Sequence, residues 1–286
     1  MIYQFTVGRL SCAVVSDGQM KPPLEPPLAA FFTPEAGVPA SELNAALSAE
    51  GRTKTTLSCG YNCLLVETTS GHAVIDTGLG ARFLGYGPRI EPLVGRLGGG
   101  LSSVGVPANQ LAAVVFTHLH QDHCRGATWS GKLTFPEATA FAHAAEIAFW
   151  SDAAATDTAA GEHLASAREA INLFADRLRP FTYDTEILPG VSVVDAAGHT
   201  PGHSAILLRS GGEQVRQRSL GLRRPGVHPG VVRGEQPAVG KGRLREIHSR
   251  REGRYNLPCI LIEEIGAVGC LSVIKGSDCH HSSAVD

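Results

Sequence analysis

The chain lacks several things a 286-residue protein could have, and each absence removes a class of function. No apolar run reaches the roughly 18 residues that would suggest a membrane-spanning helix. No basic segment followed by an apolar stretch opens the sequence at Met1-Ile2-Tyr3-Gln4-Phe5, so no signal peptide is expected and a cytoplasmic location is the default reading. The seven cysteines are odd in number and show no paired spacing, which argues against a disulfide framework. A formal net charge of −2 gives no electrostatic footprint for nucleic acid or an anionic membrane surface. Charged residues make up only 18% and hydrophobic ones 43%, so the chain can fill a core and is not globally disordered. The 33 glycines suit a loop-rich enzyme, because many turns need a residue without Cβ.

What is present reads as alternating strands and helices. Ile2–Val7 and Leu10–Ser16 form a predicted hairpin ending at Asp17-Gly18, and a proline-rich loop, Lys21–Pro27, follows. Ser41 is a good N-cap for a short helix over Glu42–Ala49. Tyr61–Glu67 and His72–Ile75 pair around a Thr-Ser-Gly turn, and the second runs into Asp76-Thr77-Gly78. Arg89–Leu97 has helical composition, and Leu111–Phe116 is a buried strand. Ala138–Ala142 is a predicted strand, while Ala144–Trp150 and Glu162–Leu178 are predicted helices. Glu186–Ala196 reads as strand–turn–strand around Pro189-Gly190, and Ser204–Arg209 as a further strand. The pattern predicts an α/β fold with mixed sheets.

The chemistry is concentrated in His118-Leu119-His120-Gln121-Asp122-His123. A lone histidine is usually a satisfied structural residue. Three histidines and an aspartate within six residues, delivered by a buried strand into a tight turn, are a dense set of nitrogen and oxygen donors of the kind Zn²⁺ prefers. His118 and His120 point one way; Asp122 and His123 face a neighbouring point.

This run resembles the signature of the metallo-β-lactamase superfamily. Asp76-Thr77-Gly78 resembles that family's Asp-x-Gly turn, and Gly198-His199-Thr200-Pro201-Gly202-His203-Ser204 resembles its second histidine block. The resemblance covers about residues 1–210. It implies a four-layer αββα sandwich with mixed sheets, one zinc held by His118, His120 and His199, and a second, present in intact members, held by Asp122 and His123. Asp122 would also be catalytic, orienting a bridging hydroxide. Asp76 would support the histidine loop from behind, and His203 would be structural. The Ser-Asp-Gly strand end, the proline-rich loop and Ala145–Trp150 resemble the quorum-quenching lactonases and methyl-parathion-hydrolase-like enzymes. The implied activity is hydrolysis of a small-molecule lactone or related ester, without nucleic acid or membrane partners, and with a homodimer as the assembly such a fold allows. A glyoxalase-II-like thioesterase and a non-catalytic metal-binding remnant are the alternatives.

The second of these has a specific motive. The family supplies a bridging aspartate after the third histidine, then a final histidine, yet no aspartate occurs between Asp195 and Asp278. His228, His248, His280 and His281 are the candidates for that final histidine, and none follows a credible strand. Residues 1–214 hold 13 Lys+Arg against 20 Asp+Glu, whereas residues 215–286 hold 12 against 7. Val215–Arg254 shows no hydrophobic periodicity, and only Pro258–Ile274 looks foldable again. The expectation is a domain over residues 1–214 and an atypical basic tail over 215–286. Its Arg-Gly-Pro composition is that of GC-rich codons read out of frame, which would leave the C-terminal part of the sandwich incomplete.

Overall fold

A computed structural model describes residues 2–19, 41, 60–81, 94–152, 161–218 and 270–272. The hairpin forms as β1, Ile2–Val7, and β2, Leu10–Gln19, antiparallel with Val7 opposite Leu10. β3, Gly60–Thr68, and β4, Gly71–Ile75, continue the antiparallel run. Helix α1, Leu97–Ser103, then leads to β5, Leu111–Val115, which lies parallel to β4. Beyond it come the short helix α2, Gln121–Cys124, and the small hairpin β6, Thr128–Trp129, with β7, Lys132–Leu133. Strand β8, Thr139–His143, runs parallel to β5 and passes directly into α3, Ala144–Ser151. Helix α4, Gly161–Phe174, precedes β9, Leu178–Phe181, the parallel edge of a seven-stranded mixed sheet ordered β1-β2-β3-β4-β5-β8-β9.

A second sheet of five antiparallel strands follows: β10, Thr185–Leu188; β11, Val191–Asp195; β12, Ser204–Ser210; β13, Glu213–Arg218; and β14, Cys270–Ser272. The two sheets pack face to face. Val14, Leu64, Val66, Ile75 and Val115 of the first meet Val191, Val193, Ile206, Leu208 and Val215 of the second. The other face of the large sheet is covered by helices: Val15, Cys63, Leu65, Val74 and Val114 pack with Leu97, Leu101, Trp150, Ala167 and Phe174. Burying apolar surface at about 25 cal/mol per Å² makes these two interfaces the main source of stability. Because alternate residues along each central strand point to opposite cores, both faces of β3 and β5 are apolar.

Three expectations are corrected. The helix expected over Arg89–Leu97 begins only at Leu97: Val94–Arg96 are not helical, and residues 89–93 lie outside those described. Asp17, fully buried at the end of β2, accepts the Leu97 N–H at 3.0 Å and the Gly80 N–H at 3.0 Å, and so sets that helix start from another strand. The helix expected over Glu162–Leu178 ends at Phe174, and Leu178–Phe181 is a strand, its backbone groups taken up by β8. Residues 215–218, where no element was expected, lie in β13, and Val215 packs between the sheets. The proline-rich loop, the helix over 42–49 and residues 219–269 and 273–286 lie outside the described residues.

Candidate metal centre

The site is built where β4, β5 and β11 end. The chain leaves β4 at Asp76 in a left-handed conformation (φ 59°), which a short polar side chain tolerates better than most. The turn is locked to the histidine loop: Asp76 N–H donates to Val115 O at 2.9 Å, while the Thr77 N–H and hydroxyl donate to His123 O at 2.8 and 2.9 Å. Gly126 passes so close that a Cβ there would lie 2.0 Å from Thr77 O. Ser204 N–H donates to Thr117 O at 2.9 Å, tying the start of β12 to the same loop.

A hydrogen-bond relay then fixes the rings. The Asp76 carboxylate accepts from Thr117 N–H at 2.9 Å, from the Thr117 hydroxyl, and from His123 Nδ1–H at 2.8 Å. With its proton committed to a carboxylate, the Thr117 oxygen is an acceptor for His118 Nδ1–H at 3.2 Å. That leaves the lone pair of His118 on Nε2, which is buried and has no hydrogen-bond partner. Facing it, His120 Nδ1 and His199 Nε2 lie 2.9 Å apart, and the donor atoms of His118, His120 and His199 fall within 4.8 Å of one another. The convergence expected of these three rings is therefore seen.

Electrostatics divides the cluster in two. Burial, reinforced by the neighbouring histidines, pushes His118 well below the ordinary imidazole range, His120 down to about 2 and His199 down to about 4. All three are neutral imidazoles at pH 7. His123 behaves in the opposite way. Burial opposes its charge, yet Asp122 and Asp76 on either side push it up to about 10. Burial likewise opposes charge on Asp122, but His123, whose Nε2 is 3.3 Å from Asp122 Oδ2, holds that carboxyl well below its usual range. His203 has the structural role expected of it: its Nδ1 lies 3.0 Å from Ala196 O, and its backbone closes the start of β12.

Sequence reasoning missed His163. It stands on α4 with its ring 4.4 Å from that of His120, and a nitrogen of His163, a nitrogen of His120 and an Asp122 oxygen form a second group within 4.8 Å. Its Nδ1 accepts Gln121 N–H at 3.1 Å. A neutral imidazole accepting at Nδ1 carries its proton at Nε2, so His163 is a hydrogen-bond donor at the edge of the site. A single histidine in an ordinary helical stretch carries no spacing signal. His228, His248, His280 and His281 lie outside the described residues, as do the side chains of Arg216–Arg218, where a bridging ligand would be sought.

A sequence profile described as "Metallo-beta-lactamase superfamily" matches residues 58–215, over half of the chain. The chain belongs to the metallo-beta-lactamase superfamily. Membership carries the class expected from the sequence, a metal-dependent hydrolase by family. Among solved structures, the dizinc quorum-quenching lactonase AidC, determined with the product N-hexanoyl-L-homoserine, superposes with a TM-score of 0.62 at 22% identity, covering 75% of this chain and 72% of that one. The hydrolase AbOPH of the beta-lactamase superfamily gives 0.59 at 24%, covering 75% and 72%. A probable metal-dependent hydrolase from Staphylococcus aureus gives 0.58 at 18%, covering 74% and 73%. At such identities these likenesses establish the fold. No curated protein matches the sequence.

Proposed function

We propose that this chain is a zinc-dependent hydrolase that cleaves a lactone or related small-molecule ester, with His118, His120 and His199 as the ligands of one zinc. The observation that carries the reading is the buried His118 Nε2. An imidazole nitrogen without a partner costs about 1–3 kcal/mol, a cost a ligand bond would remove. Its tautomer is set by Thr117, and metal-binding histidines characteristically donate their other N–H in this way. Neutral nitrogens, one on a buried ring and two on partly buried ones, suit a zinc site of the hydrolytic kind. Zinc bound there would act as a Lewis acid and bring the pKa of water to about 7.

The chain's own residues account for the rest. Asp122, held ionised beside His123, is an acceptor that orients a water hydrogen next to the triad. His163, its ring 4.4 Å from that of His120, lines the same edge of the site. Asp122 and His123 also border the position of a second zinc. A carboxylate and one imidazole make a weak site alone, so one zinc is the expected loading. The lactone is put ahead of a thioester because the Ser-Asp-Gly strand end and Ala145–Trp150 resemble the lactonases, and the thioester arm of the test decides between them. The family domain is read as running through β13, with the atypical tail after it, supported by the profile match ending at residue 215 and by the pairing of β13 with β12. A cytoplasmic location stays with the proposal, supported by the free, buried Cys12, Cys63 and Cys124. No described helix is long and apolar enough to cross a membrane.

The test is elemental analysis of purified protein together with a panel of acyl-homoserine lactones, aryl esters and a glutathione thioester. About one zinc per chain with lactone turnover supports the reading. Zinc without turnover of any ester would make the chain a metal-binding remnant, which the lack of aspartate between Asp195 and Asp278 already favours as the second reading.

A further inference from the structure

Glu146 is a carboxylate with no solvent exposure, in the first turn of α3, outside the triad. As part of the Ala145–Trp150 stretch it could be mere helix packing. Its hydrogen bonds show otherwise. Oε2 accepts Leu119 N–H at 3.2 Å and Trp150 Nε1–H at 2.7 Å, while Oε1 accepts Gly202 N–H at 3.1 Å. Leu119 is the residue between His118 and His120, and Gly202 lies three residues beyond His199. One side chain thus spans the two separate loops that carry the histidines. Trp150 adds a third hold, its ring edge-on to His120 with centroids 5.5 Å apart. The approach is close: a Cβ on Gly202 would lie 2.7 Å from Glu146 N.

We propose that Glu146 is the positioning residue of the metal centre, its two carboxylate oxygens holding the His118–His120 loop and the His199 loop at ligand distance from each other. The inference rests on the metal reading above. The chemistry requires a carboxylate, because both oxygens accept N–H donors. An amide of the same shape must turn its NH₂ toward one of those donors. In one orientation it loses Gly202; in the other it loses Leu119 and Trp150. Either way the two loops are no longer tied through one group.

The experiment uses the full chain, ¹⁵N-labelled and metal-free, then titrated with Co²⁺. In Glu146→Gln, the amide signals of Leu119 or Gly202 and the indole signal of Trp150 should move, and Co²⁺ affinity should fall by about 10–100-fold with a changed visible spectrum. Trp150→Phe, which leaves both backbone bonds in place, should lose less. Wild-type affinity and spectrum in Glu146→Gln would overturn the proposal, since helix packing alone tolerates the isosteric amide. Should Glu146→Gln fail to fold, Gly202→Ala pushes the His199 loop off the intact carboxylate and should reproduce the cobalt loss; unchanged affinity there overturns it equally. If the wild type takes up no Co²⁺, the metal reading falls and the amide signals alone decide: displaced Leu119 and Gly202 resonances uphold the bracket, unmoved ones remove it.

Discussion

His123 donates its Nδ1–H to Asp76 Oδ2 at 2.8 Å, across 47 residues of sequence, and both groups are almost fully buried. That bond joins the end of β4 to the turn after β5 and gives the ring one orientation. Removing the carboxylate in Asp76→Ala strands the Thr117 N–H, the Thr117 hydroxyl and His123 at once. A loss of about 3 kcal/mol in urea unfolding is expected, since each buried donor left unpaired costs about 1–3 kcal/mol and some relax toward water. Metal affinity should fall about 10–100-fold, because the effect passes through His118 and His123. Equal loss of metal in Asp76→Ala and His120→Ala would make Asp76 a direct ligand.

His120→Ala removes a donor atom from the triad together with ring contacts to Trp150 and His163, but the ring is only partly buried. The variant should unfold within about 1 kcal/mol of the wild type and retain little bound zinc by elemental analysis. Loss of the fold instead would assign His120 a structural role.

The pH dependence of the metal-free protein follows from opposite shifts. His120 and His199 have folded values of about 2 and about 4, below the unfolded value of about 6.5. As pH falls below 6.5 the unfolded chain takes up protons that the folded chain refuses, so stability drops. His123, at about 10 when folded, contributes stability that is full below 6.5 and lost as pH rises through 10. Urea midpoints at pH 5, 6.5 and 9 should therefore peak near 6.5. A midpoint rising steadily from 6.5 to 9 would contradict the charged His123.

Burial pushes the Cys12 thiol up to about 12, and Cys63 and Cys124 well above the ordinary thiol range. At pH 8 the native protein should leave these three unmodified by iodoacetamide for hours, and urea should expose them together. Peptide mapping reads both states; rapid native labelling of Cys124 would mean that the histidine loop opens.

Gly126→Ala would drive a methyl group into Thr77 O and Thr77 C, both main-chain atoms. Backbone cannot swing aside as a flexible side chain can, so destabilisation of about 3 kcal/mol is expected. Differential scanning fluorimetry tests it, and an unchanged melting temperature would show that the turn yields to the added methyl group.

The histidine run was legible because its signal is local: four donors in six residues after an apolar strand. Most strands of both sheets were legible for the same reason, their apolar runs being continuous or alternating. What escaped depends on distant partners. Leu178–Phe181 has an intermediate, two exposed and one buried residue with a proline among them, and becomes a strand only because β8 offers it an edge. The start of α1 is set by Asp17, 80 residues earlier. β13 has one apolar residue at its centre, Val215, too little for periodicity, and is held by pairing with β12. His163 and Glu146 belong to the site through tertiary contact alone.

The order of donors along the chain also orders events in time. His118 and His120 are two residues apart and meet as soon as β5 ends, whereas His199 joins them across 79 residues and only after the two sheets have docked. Closing so long a loop is slow compared with forming a local turn. If the triad holds a metal as proposed, a nascent or unfolding chain would offer a two-nitrogen clip that grips and releases a cation quickly. The finished sandwich would add the third nitrogen and turn a transient passenger into a resident one, so the off-rate of the metal would become a clock for the docking of the sheets.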